Sequence, residues 1–226
     1  GSLLPARLSS APVLLPRTRA QPLPTTDLSD AEARAQAMRL KVMCLVMIAV
    51  VVVLDLWTKS YMQDWLGLRP DARRSDRVIE VIPGFLRWEG TWNDGVTFGM
   101  FGGSTIPILV LTIIATLGLT VWFIGTRTRS RLLPIGLALV IAGAIGNLYD
   151  RVTWHKVRDF IAMYVEIDGE THTWPNYNVA DAGIVLGVIL IVWDALFGIG
   201  AKEAKEKEAA RAAKKAAKQA AAKELR

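Results

Sequence analysis

Gly146-Asn147-Leu148-Tyr149-Asp150-Arg151 closes one long apolar run, and Tyr177-Asn178-Val179-Ala180-Asp181 opens the next. A polar connection between the two carries Asp159. Apolar segments that end in Asn, Asp and Arg bring titratable groups to the mouths of helices, so the reading of these runs decides the fold. Residues 132–149 hold no charge, and neither do residues 105–125. At about 1.5 Å per residue each is long enough to cross an apolar layer of roughly 30 Å. The composition agrees: 52% of the 226 residues are apolar and mean hydropathy is +0.30, which favours a membrane protein over a soluble one.

Working toward the amino end, the run Val42 to Leu54 is apolar without a break and then meets Asp55 and Lys59, one helical turn apart. Charges inside a spanning segment cost about 2.5 to 3.5 kcal/mol each on insertion scales. Two readings stay open: a buried functional pair, or a lysine that snorkels to the headgroups with Asp55 neutralising it. No cleavage pattern of small residues follows this run, which predicts an uncleaved first span. Residues 1–38, rich in Pro, Ser, Ala and Arg, read as a disordered arm. Cys44 lies in an aliphatic run and reads as packing.

The expectation is an all-α membrane protein with four transmembrane helices, at about 40–66, 105–125, 132–149 and 178–200. Extracytoplasmic segments, about 67–104 and 150–177, add a small β-cradle. The β-branched run Val78 to Ile82 suggests a strand, and Asn93-Asp94-Gly95 is a strong turn signal, followed by Val96-Thr97-Phe98-Gly99. Trp88 and Trp92 suit the headgroup level. Gly136, Gly143 and Gly146, with Ala142 and Ala144, permit close helix approach. Asn178 is a candidate helix cap, with Asp181 three residues on, where a helix amino end favours an ionised carboxylate. Asp194 reads as an interfacial residue. Residues 201–226, mostly Ala, Lys and Glu, read as a solvated basic tail, with anionic lipid a second choice and nucleic acid not expected as a partner.

The net charge of +6 is unevenly spread. Basic excess sits in the arm, in the loop of Arg127, Arg129 and Arg131, and in the tail, so the positive-inside rule places both termini in the cytoplasm. Asn93, Asp150, Asp159, Asn178 and Asp181 then share the outer side.

The two histidines, His155 and His172, have no serine or cysteine beside them in a recognisable motif, which argues against a Ser/His or Cys/His nucleophile. His155 with Asp159 lacks convincing further ligands, so no metal and no cofactor are expected. Two carboxylates that share one proton can activate water without either. Asp159 and Asp181 are the candidate pair, with Asn178 and Asn93 orienting dyad or substrate. Asp150 with Arg151, and Asp55 with Lys59, are expected to hold the helix ends and local charge.

Five runs in order, Asp55-Leu56-Trp57-Thr58-Lys59, Asn93-Asp94-Gly95-Val96-Thr97-Phe98-Gly99, Gly146-Asn147-Leu148-Tyr149-Asp150-Arg151, Val157-Arg158-Asp159-Phe160 and Tyr177-Asn178-Val179-Ala180-Asp181, resemble the ordered motifs of bacterial lipoprotein signal peptidase, or signal peptidase II. The resemblance covers about residues 40–200. It implies a peptidase domain over 39–200, in the bacterial plasma membrane. The activity implied is an aspartyl endopeptidase that cuts a prolipoprotein just before its diacylglyceryl-modified cysteine. Residues matching Asp159 and Asp181 are then the catalytic dyad. Those matching Asp55, Lys59, Asn93, Gly95, Asn147, Asp150, Arg151 and Asn178 support or bind the site. Val96 and Thr97 stand where small alanines are frequent, and Tyr177 where Phe is common, which bears on the substrate groove. Implied partners are the prolipoprotein and membrane lipids, with the chain acting as a monomer. The rival readings are a small proton- or ion-coupled transporter, whose path needs polar groups across its whole depth, and a membrane adaptor using the basic tail.

Overall fold

The computed structural model describes residues 30–95, 106–126 and 130–198. Expectations for the arm before residue 30, for Val96 to Gly99, for Arg127 and Arg129, and for the tail from residue 201 lie outside the described residues. Four helices are long and apolar enough to cross a membrane: α1 (Asp30–Leu66), α2 (Ile106–Gly125), α3 (Leu132–Trp154) and α4 (Val179–Phe197). A four-stranded antiparallel sheet accompanies them, in the order β1 (Arg74–Ile82), β2 (Leu86–Asn93), β3 (Val157–Ile167) and β4 (Glu170–Thr173).

α1 begins at Asp30, well before the apolar run that opens at Val42. Ala, Glu, Arg and Gln from residue 31 onward are strong helix formers, so the helix continues into polar sequence. α3 likewise runs through Asp150 and Arg151 to Trp154, and stops where His155 adopts a left-handed φ of 61°. Residues 150–154 therefore belong to a helix and not to the connection after it. Both polar segments contribute strands to one sheet, and Asp159 sits on β3 instead of in a loop. Asp168 and Gly169, with φ of 53° and 81°, form the two-residue hairpin between β3 and β4.

α3 is the middle of the bundle. About half of it is buried, whereas α1, α2 and α4 turn Val50, Leu117, Val121 and Ile189 outward, apolar surface that suits lipid. Cys44, Phe123, Leu137, Ala138 and Ile141 form the core between α1, α2 and α3, so Cys44 is packing. α4 lies against α3 through glycine. A Cβ built on Gly136 would stand 2.7 Å from the Gly187 carbonyl oxygen, and one on Gly187 only 2.6 Å from that of Gly136. The far end of this pair is tied by Ser130, just before α3, whose hydroxyl hydrogen-bonds the buried Asp194 near the end of α4.

The sheet is clamped to the bundle by Met62 and Leu66 at the end of α1, which pack on Phe160 and Trp88. Trp92 is buried, not placed as an exposed anchor: its indole N–H donates to the Arg69 carbonyl at 2.8 Å and its ring meets Trp154. A bridge between Ile161 and Tyr177 holds the entry to α4 alongside β3. That bridge brings Asn178 next to Asp159.

Candidate active site

The site forms where the end of α1, the end of α3, the start of α4 and the start of β3 converge. Each arrives there for a local reason. Asn178 caps α4 in a reciprocal box: its side-chain oxygen accepts from the Asp181 N–H at 3.0 Å, and its own N–H donates to Asp181 Oδ2 at 3.2 Å. The remaining half of the Asn178 amide, Nδ2, donates to Asp159 Oδ1 at 2.7 Å. One residue thus holds both carboxylates.

Each carboxylate has a second amide donor. Asn147 Nδ2 donates to Asp181 Oδ1 at 2.7 Å, and Asn93 Nδ2 to Asp159 Oδ2 at 2.9 Å. The register explains the latter contact. Asp159 lies opposite Thr91, so Asn93, two residues on, is its diagonal neighbour on the same face. Gly95 sets the orientation, because its N–H donates to Asn93 Oδ1 at 2.8 Å and leaves only the amino group to face Asp159. The turn needs φ of +71° at Gly95, a conformation that favours glycine.

Burial pushes the Asp159 carboxyl up, and the negative charge of Asp181 adds to the effect. Hydrogen bonds from Asn93 and Asn178 and the Lys59 cation pull it down, leaving it raised to about 7. Near neutral pH Asp159 is therefore poised to carry or release a proton.

Beneath the pair lies a fully buried ionic layer. Lys59 Nζ is 2.8 Å from Asp55 Oδ2 and 3.7 Å from Asp150 Oδ2, and donates to Asn147 Oδ1 at 2.9 Å. With both side chains of the Asp55–Lys59 pair wholly buried, the snorkelling reading falls. Asp55 Oδ1 accepts from the Ala180 N–H at 2.8 Å, so α1 steadies the first turn of α4. Gly146 makes room for this carboxylate, since a Cβ there would collide with Asp55 Oδ2.

Asp150 does not pair with Arg151 as expected. Consecutive residues on a helix point in different directions. Its partner is Arg158, through Nη2 to Oδ1 at 2.6 Å, Nε at 3.1 and 3.2 Å, and the Arg158 N–H at 3.0 Å. Arg158 also donates to Ser60 and Gln63 of α1 at 3.2 and 3.1 Å, joining three elements next to Asp159. Sequence alone does not single it out; the available signal was an arginine among the buried Val157, Asp159 and Phe160. Arg151 instead reaches the Asn147 carbonyl at 3.4 Å, and its charge acts on Asp181 and Asp159. All ten residues singled out from the sequence thus meet in one connected cluster. Among the described residues no group of three or more His, Cys, Asp or Glu gathers as a metal site.

A family model described as signal peptidase (SPase) II matches residues 47–197. A lipoprotein signal peptidase of Rhodopseudomonas palustris (strain ATCC BAA-98 / CGA009) is 36% identical over 157 residues, covering 68% of this chain and 91% of the relative. One from Sulfurihydrogenibium sp. (strain YO3AOP1) is 38% identical over 152 residues, covering 65% and 86%. Among solved structures, a bacterial membrane enzyme determined by the in meso method superposes with a TM-score of 0.56 at 30% identity, over 68% of this chain and 87% of that one.

Proposed function

The chain belongs to the signal peptidase II family of membrane peptidases, and from that premise we propose that Asp159 and Asp181 are its catalytic dyad and that it cuts prolipoproteins immediately before the diacylglyceryl-modified cysteine. The observation that carries this reading is Asn178, which bonds both carboxylates at once and keeps them on a common target.

The raised Asp159 holds the shared proton, and Asp181, bonded by the Asn178 N–H and by Asn147, holds the negative charge. Asp181 takes a proton from water as the oxygen attacks the scissile carbonyl carbon, while Asp159 passes its proton to the carbonyl oxygen. Collapse of the resulting gem-diol breaks the C–N bond. The departing amine takes the proton from Asp181, and one hydroxyl of the diol returns its proton to Asp159. The dyad is restored, leaving a carboxylic acid on the signal peptide and an amine on the modified cysteine. The ionic layer of Lys59, Asp55, Asp150 and Arg158 fixes the frame, and Arg151 offers positive charge to the two carboxylates of the dyad.

The site lies at the end of the bundle that carries the sheet. Together with the positive-inside pattern this supports an outward-facing site with both termini in the cytoplasm. A lipid-bearing cysteine there is held at the membrane surface, so the bilayer itself supplies much of the proximity. The test is a gel assay of a lipidated precursor in detergent. Asp159→Asn and Asp181→Asn are expected to fold and insert yet lose cleavage, and normal turnover by either variant refutes the dyad.

A further inference from the structure

A cleft of about 1000 Å³ runs along the end of the sheet where β1 and β3 start and β2 and β4 finish. Asp159 and Asn93 form part of its wall, so the cleft opens directly onto the proposed dyad. Its other charged groups are Arg73, Arg74, Lys156 and Asp94, with His155 beside them. Arg74 is engaged by Glu89 at 2.7 Å. Among the described residues Arg73 and Lys156 make no ion pair, the first exposed and the second half-buried. No step of peptide hydrolysis uses either cation.

We propose that this cleft receives the first residues of the mature chain, just beyond the scissile bond, and favours acidic side chains there. The inference rests on the proposed peptidase activity and adds the substrate's charge to it. A signal helix occupies the apolar layer beside the bundle, so the chain beyond the cut must leave on the watery side. The cleft provides that exit, starting at Asp159 itself. Its volume lies at the upper end of small-molecule pockets, about 300 to 1,000 Å³, and suits a short extended peptide. Two uncommitted cations against the carboxylate of Asp94, with the Asp159 carboxyl carrying the proton of the proposed dyad, give it a positive field that attracts acidic residues and repels basic ones.

The experiment uses three lipidated precursors that differ only at the second and third mature residues, made acidic (Asp-Glu), neutral (Ser-Ser) or basic (Lys-Lys). Each is cleaved in a zwitterionic detergent by the full chain and by its Arg73→Glu/Lys156→Glu variant. The wild type is expected to prefer acidic over basic by about tenfold in kcat/KM, carried by KM and weakened by salt, as two solvent-accessible charge pairs supply. The variant is expected to invert that order. Equal cleavage of acidic and basic precursors by the wild type overturns the inference, as does an unchanged order in the variant. A variant that changes only binding to vesicles of anionic lipid assigns the cations to headgroups and also overturns it. Failure of the wild type to cut any of the three precursors overturns the proposed function and this inference together, whereas cleavage without discrimination overturns this inference alone.

Discussion

Asn93 donates to Asp159 Oδ2 at 2.9 Å through the half of its amide that Gly95 leaves free. That bond favours the ionised carboxylate and so opposes the burial and the Asp181 charge that raise Asp159 to about 7. In the proposed mechanism Asp159 must be protonated, so the alkaline limb of the kcat/KM profile is expected near pH 7. Asn93→Ala removes a bond to the charged form, so the limb is expected to move up by about one pH unit, the worth of one such hydrogen bond. An unmoved limb means that a different group titrates. The sign for stability is opposite to that of a salt-bridged Asp. The folded state binds this proton more tightly than the unfolded chain, so stability from Asp159 is complete below 3.8 and is lost as pH rises through about 7. Thermal unfolding in detergent should fall over that window, and fall less in Asp159→Asn.

Arg158 should matter for folding more than any surface arginine. Both it and Asp150 are buried, and Arg158→Gln leaves the carboxylate with a backbone N–H and a lysine 3.7 Å away. Breaking a buried pair from one side costs about 3 to 5 kcal/mol. Arg158→Lys is expected to recover little, because a single ammonium cannot reproduce the forked contact. A double change, Arg158→Met with Asp150→Leu, is expected to unfold at a higher temperature than Arg158→Gln alone. A Tm for Arg158→Gln equal to that of the wild type contradicts this account.

Two glycines test whether the α3–α4 contact positions the site. A Cβ on Gly143 would collide with the Ala180 carbonyl, pushing the first turn of α4 away from Asn147. On Gly183 of the same helix pair the nearest atom is the Leu139 carbonyl oxygen at 3.8 Å, an ordinary contact. Gly143→Ala should cost about 1 to 3 kcal/mol and roughly a hundredfold in kcat, since an ångström of misplacement carries that penalty. Gly183→Ala should be silent in both. Equal activity of the two variants removes the positioning role of the contact.

How far this was legible in sequence depended on whether the cause was local. The helix runs, the Asn178 cap and the small residues of α3 could be read because apolar length, capping and close approach are local properties. A hydropathy reading ends α3 at Tyr149, but charge does not end a helix; His155 does, with a backbone conformation that its identity only weakly favours. The partner of Asp150 comes from β3, eight residues on and around a turn, where spacing rules for helices say nothing. The Asp168-Gly169 hairpin was readable and unread, because Asp-Gly is a strong two-residue turn signal. Trp92 shows the limit of composition: an amphipathic ring suits a membrane surface and a buried carbonyl partner equally, and the choice fell to Arg69.

Lys59 lies between the ionic layer and the proposed dyad. Its ammonium answers Asp55 and Asp150 and bonds Asn147, and its charge also lowers Asp159 from a distance. Lys59→Met therefore has two consequences of different origin. The buried Asp55 loses its partner, so Tm should fall by more than in Asn93→Ala, on the scale of about 3 to 5 kcal/mol. The Asp159 proton should also be held more tightly, moving the alkaline limb of kcat/KM upward, as in Asn93→Ala. Adding Asp55→Leu to Lys59→Met removes the stranded carboxylate and should restore part of the Tm without returning the limb to pH 7. If the double variant recovers both together, the lysine acts on Asp159 only through the fold, and the electrostatic link between the two layers is lost.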